Sequence, residues 1–307
     1  MEQRRIGALT VSVVGLGCNN FGMRLDEAAT TAVVRAALDN GITLFDTADI
    51  YGNTKSEEFL GRALGTNRTE IVLATKFGHE RGEGGGGARP EYIRRIAVAS
   101  LKRLCTDYID LYQIHKPDAS VPIADTLGAL TELVQAGKVR EIGCSNFTAI
   151  QIEEAEAASA SAHLARFASV QNEYSLLDRE DEADALPECE RRGIGYLPYF
   201  PLASGLLTGK YRKGQPLPEG SRLANLEWAR SVLTDQNLDR VERLITFTAK
   251  YQRSLLELAF SWLLTHPAVA SVIAGATTAD QVKANIDASG WAMTAAERLE
   301  AEGIAPA

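Results

Sequence analysis

A chain of 307 residues, 45% hydrophobic and 23% charged, has the material for one large α/β domain or two ordinary ones. Its 32 Lys and Arg against 40 Asp and Glu leave a formal net charge of -8, with no basic stripe. That balance argues against broad binding to nucleic acid or anionic membrane, while leaving room for a local basic pocket that takes one phosphate.

Cys18, Cys105, Cys144 and Cys189 are far apart and form no C-x-x-C pair, so they read as buried free thiols in a reducing compartment rather than as metal or redox motifs. The N-terminal residues lack the apolar core of a signal peptide, and no run reaches the ~18 apolar residues of a membrane helix. A cytoplasmic protein is expected.

In chain order, residues 5–12 read as a short hairpin and 13–18 as the first core strand. Gly15 and Gly17 suggest a dinucleotide fingerprint, but the correctly spaced third glycine is missing and no helix opens, so a tight loop is expected instead. Helical spacing over 31–40 ends before Gly41. The apolar run 42–45 reads as a strand that finishes in Asp46, with Tyr51 and Gly52 close behind. A helix over 56–64 has Ser56 or Thr54 available as its cap. Strand 71–75 closes on Lys76, and the glycine run 84–87, which lacks a Gly-Lys-Ser/Thr ending, reads as a flexible loop above the site.

Pro90 starts a helix over 91–104, and strand 108–114 closes on His115. The alternation continues with helix 123–135, strand 142–144, helix 150–162, strand 168–171, helix 181–192 and strand 195–199, where Pro198 suits a strand end. Helices 239–251 and 255–266, a last strand 270–273 and a terminal helix 278–288 complete the series. Strands counted from Val13 number eight, almost all separated by a helix. The expected fold is an α/β (β/α)8 TIM barrel with an N-terminal β-hairpin, one domain over 1–307 with an insertion between 205 and 239. A doubly wound sheet fits less well, because no domain boundary interrupts the eight units.

On a barrel the C-terminal strand ends meet at one face, which brings Asp46, Tyr51, Lys76 and His115 together. Alone, an Asp after a strand is usually a loop cap, a Tyr packing, a rim Lys solvated and a His hydrogen-bonded structure. Together they form a proton-transfer set: a phenol near its reference pKa of about 10 needs a nearby positive charge to exchange a proton readily at neutral pH. Lys76 can supply that charge, Asp46 can hold the ammonium, and His115 can orient a carbonyl oxygen or join the relay. This set suits a developing alkoxide that takes a proton as hydride arrives, and hydride has to come from a cofactor.

The later rim loops hold candidate cofactor contacts. Ser145, Asn146 and Gln171 offer amide-recognising groups, and Tyr199 a flat face for a nicotinamide ring. Leu202, the stretch from Gly205 to Lys210, and Ser221 with Arg222 are candidates near a pyrophosphate. Gly275, Ala276, Thr277 and Thr278 open the final helix, whose N-terminus favours an anion. Phe21, Trp228 and Trp291 suggest an apolar substrate pocket, with surface packing an equally sound reading of each.

These motifs resemble those of the aldo-keto reductases over residues 7–288: Asp46-Thr-Ala-Asp-Ile-Tyr-Gly52 with Ser56-Glu57, Thr75-Lys76-Phe77-Gly78, Ser100-Leu-Lys-Arg-Leu104 with Asp107-Tyr-Ile-Asp-Leu111 and His115, Gly137-Lys-Val-Arg140, Gly143-Cys-Ser-Asn-Phe147 and Gln171-Asn-Glu-Tyr174. The stretches 205–211 and 275–281 continue the match. The resemblance implies reduction of a small aldehyde or ketone, with Tyr51 as general acid, Lys76 and Asp46 tuning it, and His115 orienting the substrate. It further implies that Ser145, Asn146 and Gln171 hold the carboxamide, that Tyr199 stacks on the ring, and that Gly275, Ala276, Thr277, Gln281 and Asn285 meet the adenosine end. Gly275 and Gln281 stand where a Lys and an Arg often meet a 2′-phosphate. NADP(H) is nevertheless favoured, with NAD(H) the competitor. Phe200 replaces a common serine. The alternatives are a cofactor-binding regulatory subunit on the same barrel, as in potassium-channel beta subunits, and a sugar or alcohol dehydrogenase preferring NAD. The sequence leaves the oligomeric state open.

Overall fold

The computed structural model describes residues 1–80 and 86–306. Its centre is an eight-stranded parallel sheet made of β3 (Val14–Gly17), β4 (Leu44–Asp46), β5 (Val72–Phe77), β6 (Ile109–Ile114), β7 (Val139–Ser145), β8 (Phe167–Gln171), β9 (Gly195–Tyr196) and β10 (Val272–Gly275). Strands β3 to β9 pair in chain order and β10 pairs with β3. The ring closes because Tyr196 bridges in parallel to Val269, just before β10, through Tyr196 N to Ala268 O at 2.7 Å and Ala270 N to Tyr196 O at 2.9 Å. A closed sheet leaves no edge in need of protection.

Ahead of the barrel, β1 (Gln3–Ile6) and β2 (Leu9–Ser12) form the expected antiparallel hairpin. Its Ile6, Leu9 and Val11 join Leu44, Val72, Ala74, Leu111, Ala168, Leu197, Ala270 and Ile273 in a cluster separate from the main core. These are the inward-facing strand positions, so the hairpin plugs the barrel. Each buried aliphatic contributes roughly 2 kcal/mol of transfer free energy.

The larger core lies between strands and helices. Strand β6 shows the division: Leu111 points into the barrel, whereas Tyr112 and Ile114 point out. The surrounding ring contains α1 (Glu27–Asp39), α2 (Lys55–Leu64), α3 (Pro90–Arg103), α4 (Ile123–Gln135), α5 (Ala149–Ala162) and α6 (Ala185–Arg192). After the short α7 (Arg222–Asn225) come α8 (Asp235–Ala249), α9 (Leu255–Leu264), α10 (Ala279–Asp287) and α11 (Ala295–Ile304). Helix α10 packs on α1 and completes the ring.

Several details differ from the expectations. Thr54 occupies the N-cap of α2 with φ 72° but makes no capping bond; its hydroxyl instead meets Glu58 at 3.1 Å. Ser56 is no cap either, since it donates to Cys18 O at 2.8 Å and shares a 2.7 Å bond with Thr47. The helix expected from residue 181 begins only at Ala185, after a 3-10 turn over Glu180–Ala183. A further helix, α11, follows the one expected to be terminal; its capping box of Thr294 and Glu297 was the available signal. Cys105 is exposed, unlike the other three thiols. Of the glycine run 84–87 expected to loop over the site, 84 and 85 lie outside the described residues; Gly87 N bonds Gly78 O at 3.2 Å, and Ala88 N just after it bonds Asp118 Oδ2 at 2.9 Å. No helix among the described residues is long and apolar enough to cross a membrane.

Candidate active site

Strand register assembles the site. Asp46 at the end of β4 stands level with Gly17 and Ala74, Lys76 on β5 stands level with Gln113, and Ser145 on β7 with Gln171. Lys76 is 1% exposed and Asp46 3%. The Lys76 ammonium donates to Asp46 Oδ2 at 2.6 Å, to Thr47 O at 3.0 Å and to the Tyr51 hydroxyl at 3.4 Å. His115 is 9% exposed, and its ring meets the edge of Tyr51 at 5.9 Å and of His79 at 5.2 Å. The four residues expected to converge therefore do so.

The electrostatics add a competing effect. Burial pushes the Tyr51 hydroxyl above the ordinary phenol value; the Lys76 ammonium pulls it down, and Asp46 pushes it up again. Lys76 does lower the phenol relative to burial alone, but the net direction is upward, so Tyr51 holds its proton at neutral pH. For Lys76, burial opposes the charge, yet Asp46 and then Tyr51 outweigh it and hold the ammonium above the ordinary lysine value.

Asp46 has two further partners on its other oxygen, Gln171 Nε2 at 3.0 Å and Gln113 Nε2 at 3.3 Å. Gln113 escaped the sequence reading. It sits two residues before His115 on an alternating strand, and that period of two is the signal that points it toward the same face.

A cavity of about 990 Å³ runs from Asp46 and Tyr51 to Asn285. Of the expected cofactor residues, Gln171, Tyr199, Leu202, Gly205, Lys210, Arg222, Gly275, Thr277, Gln281 and Asn285 line it. Ser145, Asn146 and Ala276 are not on its wall but directly behind it. Ser145 donates to Gln171 O at 2.6 Å, Asn146 donates to His115 O at 2.9 Å and accepts from the Tyr199 hydroxyl at 2.8 Å, and the Ala276 carbonyl accepts from Asn20 at 3.3 Å. Asn146 thus ties the His115 backbone to the Tyr199 hydroxyl.

The aromatics separate. Trp228 lines the cavity and packs at 6.0 Å on Phe200, which also lines it. Phe21 is fully buried in the core, and Trp291 packs on Phe247 and Tyr251, so neither belongs to the pocket. Arg24, not foreseen in the sequence, joins Arg222 and Lys210 on the wall. Among the described residues these three cations pair with no carboxylate; Arg24 reaches Gly220 O at 3.2 Å and Arg222 reaches Asn20 Oδ1 at 3.4 Å. Burial, assisted by Arg24, lowers the Arg222 pKa. A concentration of positive charge without counter-charge fits a diphosphate. At the N-terminus of α10, Gln281 Oε1 takes the Thr277 amide at 2.8 Å and its hydroxyl at 3.1 Å.

With this geometry in view, the relatives are informative. A probable voltage-gated potassium channel subunit beta of Arabidopsis thaliana is 36% identical over 299 residues, covering 94% of this chain and 91% of that protein. An aldo-keto reductase of Bacillus subtilis is 34% identical over 311 residues, covering 96% and 90%. The solved glycerol dehydrogenase of Gluconobacter oxydans superposes with a TM-score of 0.84 at 31% identity, covering 98% of this chain and 94% of that one. The model of the Aldo/keto reductase family matches residues 13–301. The chain belongs to the aldo/keto reductase family, an enzyme family whose general activity is NAD(P)H-dependent oxidoreduction of carbonyl compounds.

Proposed function

We propose that this chain reduces an aldehyde or ketone to the alcohol, with Tyr51 giving its proton to the carbonyl oxygen. The observation that carries this reading is the buried Lys76 ammonium set between Asp46 and Tyr51 at one end of the cavity. Tyr51 enters the reaction protonated, and the ammonium 3.4 Å away stabilises the phenolate as its proton leaves. Asp46, anchored by Gln171 and Gln113, keeps the ammonium in place. His115 orients the carbonyl oxygen against the Tyr51 hydroxyl.

The nicotinamide cofactor, when bound, supplies the hydride. Gln171, backed by Ser145 and Asn146, forms its carboxamide end and Tyr199 its stacking face. Leu202, Gly205, Lys210 and Arg222 serve the diphosphate; Gly275, Thr277, Gln281 and Asn285, with Ala276 behind them, serve the adenosine. NADP(H) is the favoured form, since Arg24 is left for a further phosphate once Lys210 and Arg222 serve the diphosphate. NAD(H) is its competitor, because Gln281 occupies the Thr277 amide.

Two relatives suggest other readings of the same site: a cofactor-binding subunit without turnover, after the potassium-channel relative, and an alcohol dehydrogenase, after the glycerol dehydrogenase. Oxidation of NADPH in the presence of a panel of aldehydes and ketones separates them. Turnover that the Tyr51→Phe variant loses by roughly 10²-fold or more, with cofactor affinity by intrinsic fluorescence unchanged, is expected. Cofactor retention with no turnover in the wild type sinks the reductase reading, and an unchanged rate in Tyr51→Phe sinks the proton-donor assignment. Binding of NADH as tight as that of NADPH overturns only the cofactor preference.

A further inference from the structure

A buried carboxyl lies two residues before Tyr51 and has no part in the chemistry above. Asp49 is 2% exposed and forms part of the cavity wall. Its segment is stitched to β5 and its end: Thr47 N bonds Ala74 O at 2.9 Å, Asp49 N bonds Lys76 O at 3.2 Å, and the Thr47 carbonyl accepts from the Lys76 ammonium at 3.0 Å. Any displacement of Asp49 is therefore felt by both Lys76 and Tyr51.

The groups facing Asp49 explain what ionising it would cost. From α2 comes Glu57, fully buried, with Oε1 accepting from Thr75 at 2.6 Å and Oε2 from Arg103 Nε at 2.6 Å. From α3 come Arg103 and Tyr92, and from β6 the buried Tyr112. Arg103 is paired with Glu57 and acts on Asp49 only through its charge. The Ile50 amide and the Tyr92 hydroxyl favour a charged Asp49 without reaching close hydrogen-bond geometry at its oxygens. Glu57 has the ion pair with Arg103, whereas neither Asp49 oxygen has a hydrogen-bond partner among the described residues, so of the two carboxyls it is Asp49 that keeps its proton.

We propose that Asp49 is a positioning residue for Tyr51: while its buried carboxyl is neutral the Tyr51 turn stays seated on β5 through those backbone bonds, and ionising that carboxyl drives the turn toward the cavity and loosens the site. The proposal rests on the reading of Tyr51 as proton donor. Burial first, then repulsion from Glu57, push the Asp49 carboxyl up to about 7, which places the change near neutral pH. A group so raised favours the folded state least at high pH: the unfolded chain loses this proton above its ordinary value of 3.8, the folded chain only above about 7. Stability is therefore drawn down across that window and stays lowered above it.

The test is the pH profile of kcat/KM for carbonyl reduction, from about pH 6 to about pH 9, in wild type and Asp49→Asn. The wild type is expected to lose activity with a midpoint near 7, and Asp49→Asn to lose that limb. Tyr92→Phe, which removes a hydroxyl favouring the charge, should move the limb to higher pH. Asp49→Asn should also raise the thermal midpoint above neutral pH but not below the ordinary carboxyl range. A merely structural Asp49 would change the thermal midpoint and leave the limb in place, and a limb retained in Asp49→Asn overturns the proposal. Carboxyl 13C NMR of the wild type gives a second reading that needs no variant and no substrate: a midpoint near 7 supports the proposal, and one below about 5 overturns it. Failure of the reductase reading shows in the NADPH assay and Tyr51→Phe, separately from this titration.

Discussion

In the proposed reaction Lys76 serves stability and chemistry together. Its ammonium is nearly inaccessible, and the charge on Asp46 is the main partner that makes it tolerable there. Replacing it with methionine leaves the Asp46 carboxylate buried with the two glutamine amides alone. The expected loss is about 3–5 kcal/mol of stability by urea unfolding, together with a fall in kcat larger than any change in KM. A Lys76→Met variant as stable as the wild type would show that Asp46 is not ionised beside it. The convergence of Asp46, Tyr51, Lys76 and His115 was legible in the sequence because each ends a strand or lies in its following loop, and barrel topology gathers such ends. Asp49 was not legible as a charged problem: it becomes one only when Glu57, eight positions on, turns back beneath it from α2 and takes Arg103.

At the scale of elements, the loop after β4 and the loop after β3 meet backbone to backbone. Gly52 has φ 57°, and a Cβ there would stand 2.4 Å from the Phe21 carbonyl oxygen and 3.0 Å from Gly22. Gly41 has φ 79° but nothing within 4 Å of its Cβ position. Both Gly→Ala changes carry the left-handed backbone cost of roughly 1–2 kcal/mol. Only Gly52→Ala must also push the two loops apart, and Tyr51 is its neighbour. Thermal melts should show Gly52→Ala the less stable, and activity should fall in it while Gly41→Ala keeps the wild-type kcat. Equal activities would mean that the two loops move independently of Tyr51. The sequence marked Gly52 only as punctuation, since the partner loop is distant in the chain. The burial of Phe21 was hidden for the same reason: an aromatic in a loop shows no periodicity to say which way it faces. Strand and helix existence read far better, because the alternation of eight apolar runs with helical spacing is a repeated signal.

At the scale of the molecule, α11 is bound to the rest of the chain by a polar network rather than by a broad apolar face. Its Glu302 accepts from Trp262 Nε1 at 3.0 Å and from Arg298 at 2.7 Å, and Arg179 lies 3.9 Å away while donating to Ala305 O at 3.0 Å. At the centre of this network is His266, 5% exposed, with Nε2 2.8 Å from the Tyr174 hydroxyl and 3.5 Å from Arg298. Tyr174 in turn donates to Glu182 and lies three residues beyond Gln171, which holds Asp46. Burial first and Arg298 second push the His266 pKa down to about 4 from an ordinary 6.5. A histidine lowered in this way stays neutral in the folded state while the unfolded chain takes up a proton. Its stabilising effect is complete above 6.5 and is lost as the pH falls toward 4, by about 3 kcal/mol over the whole window. His266→Gln keeps a neutral polar group but removes the titration. Melts of wild type and variant at neutral pH and near pH 4 should show a smaller acid-induced drop in the variant. Equal drops would remove His266 as a source of acid sensitivity.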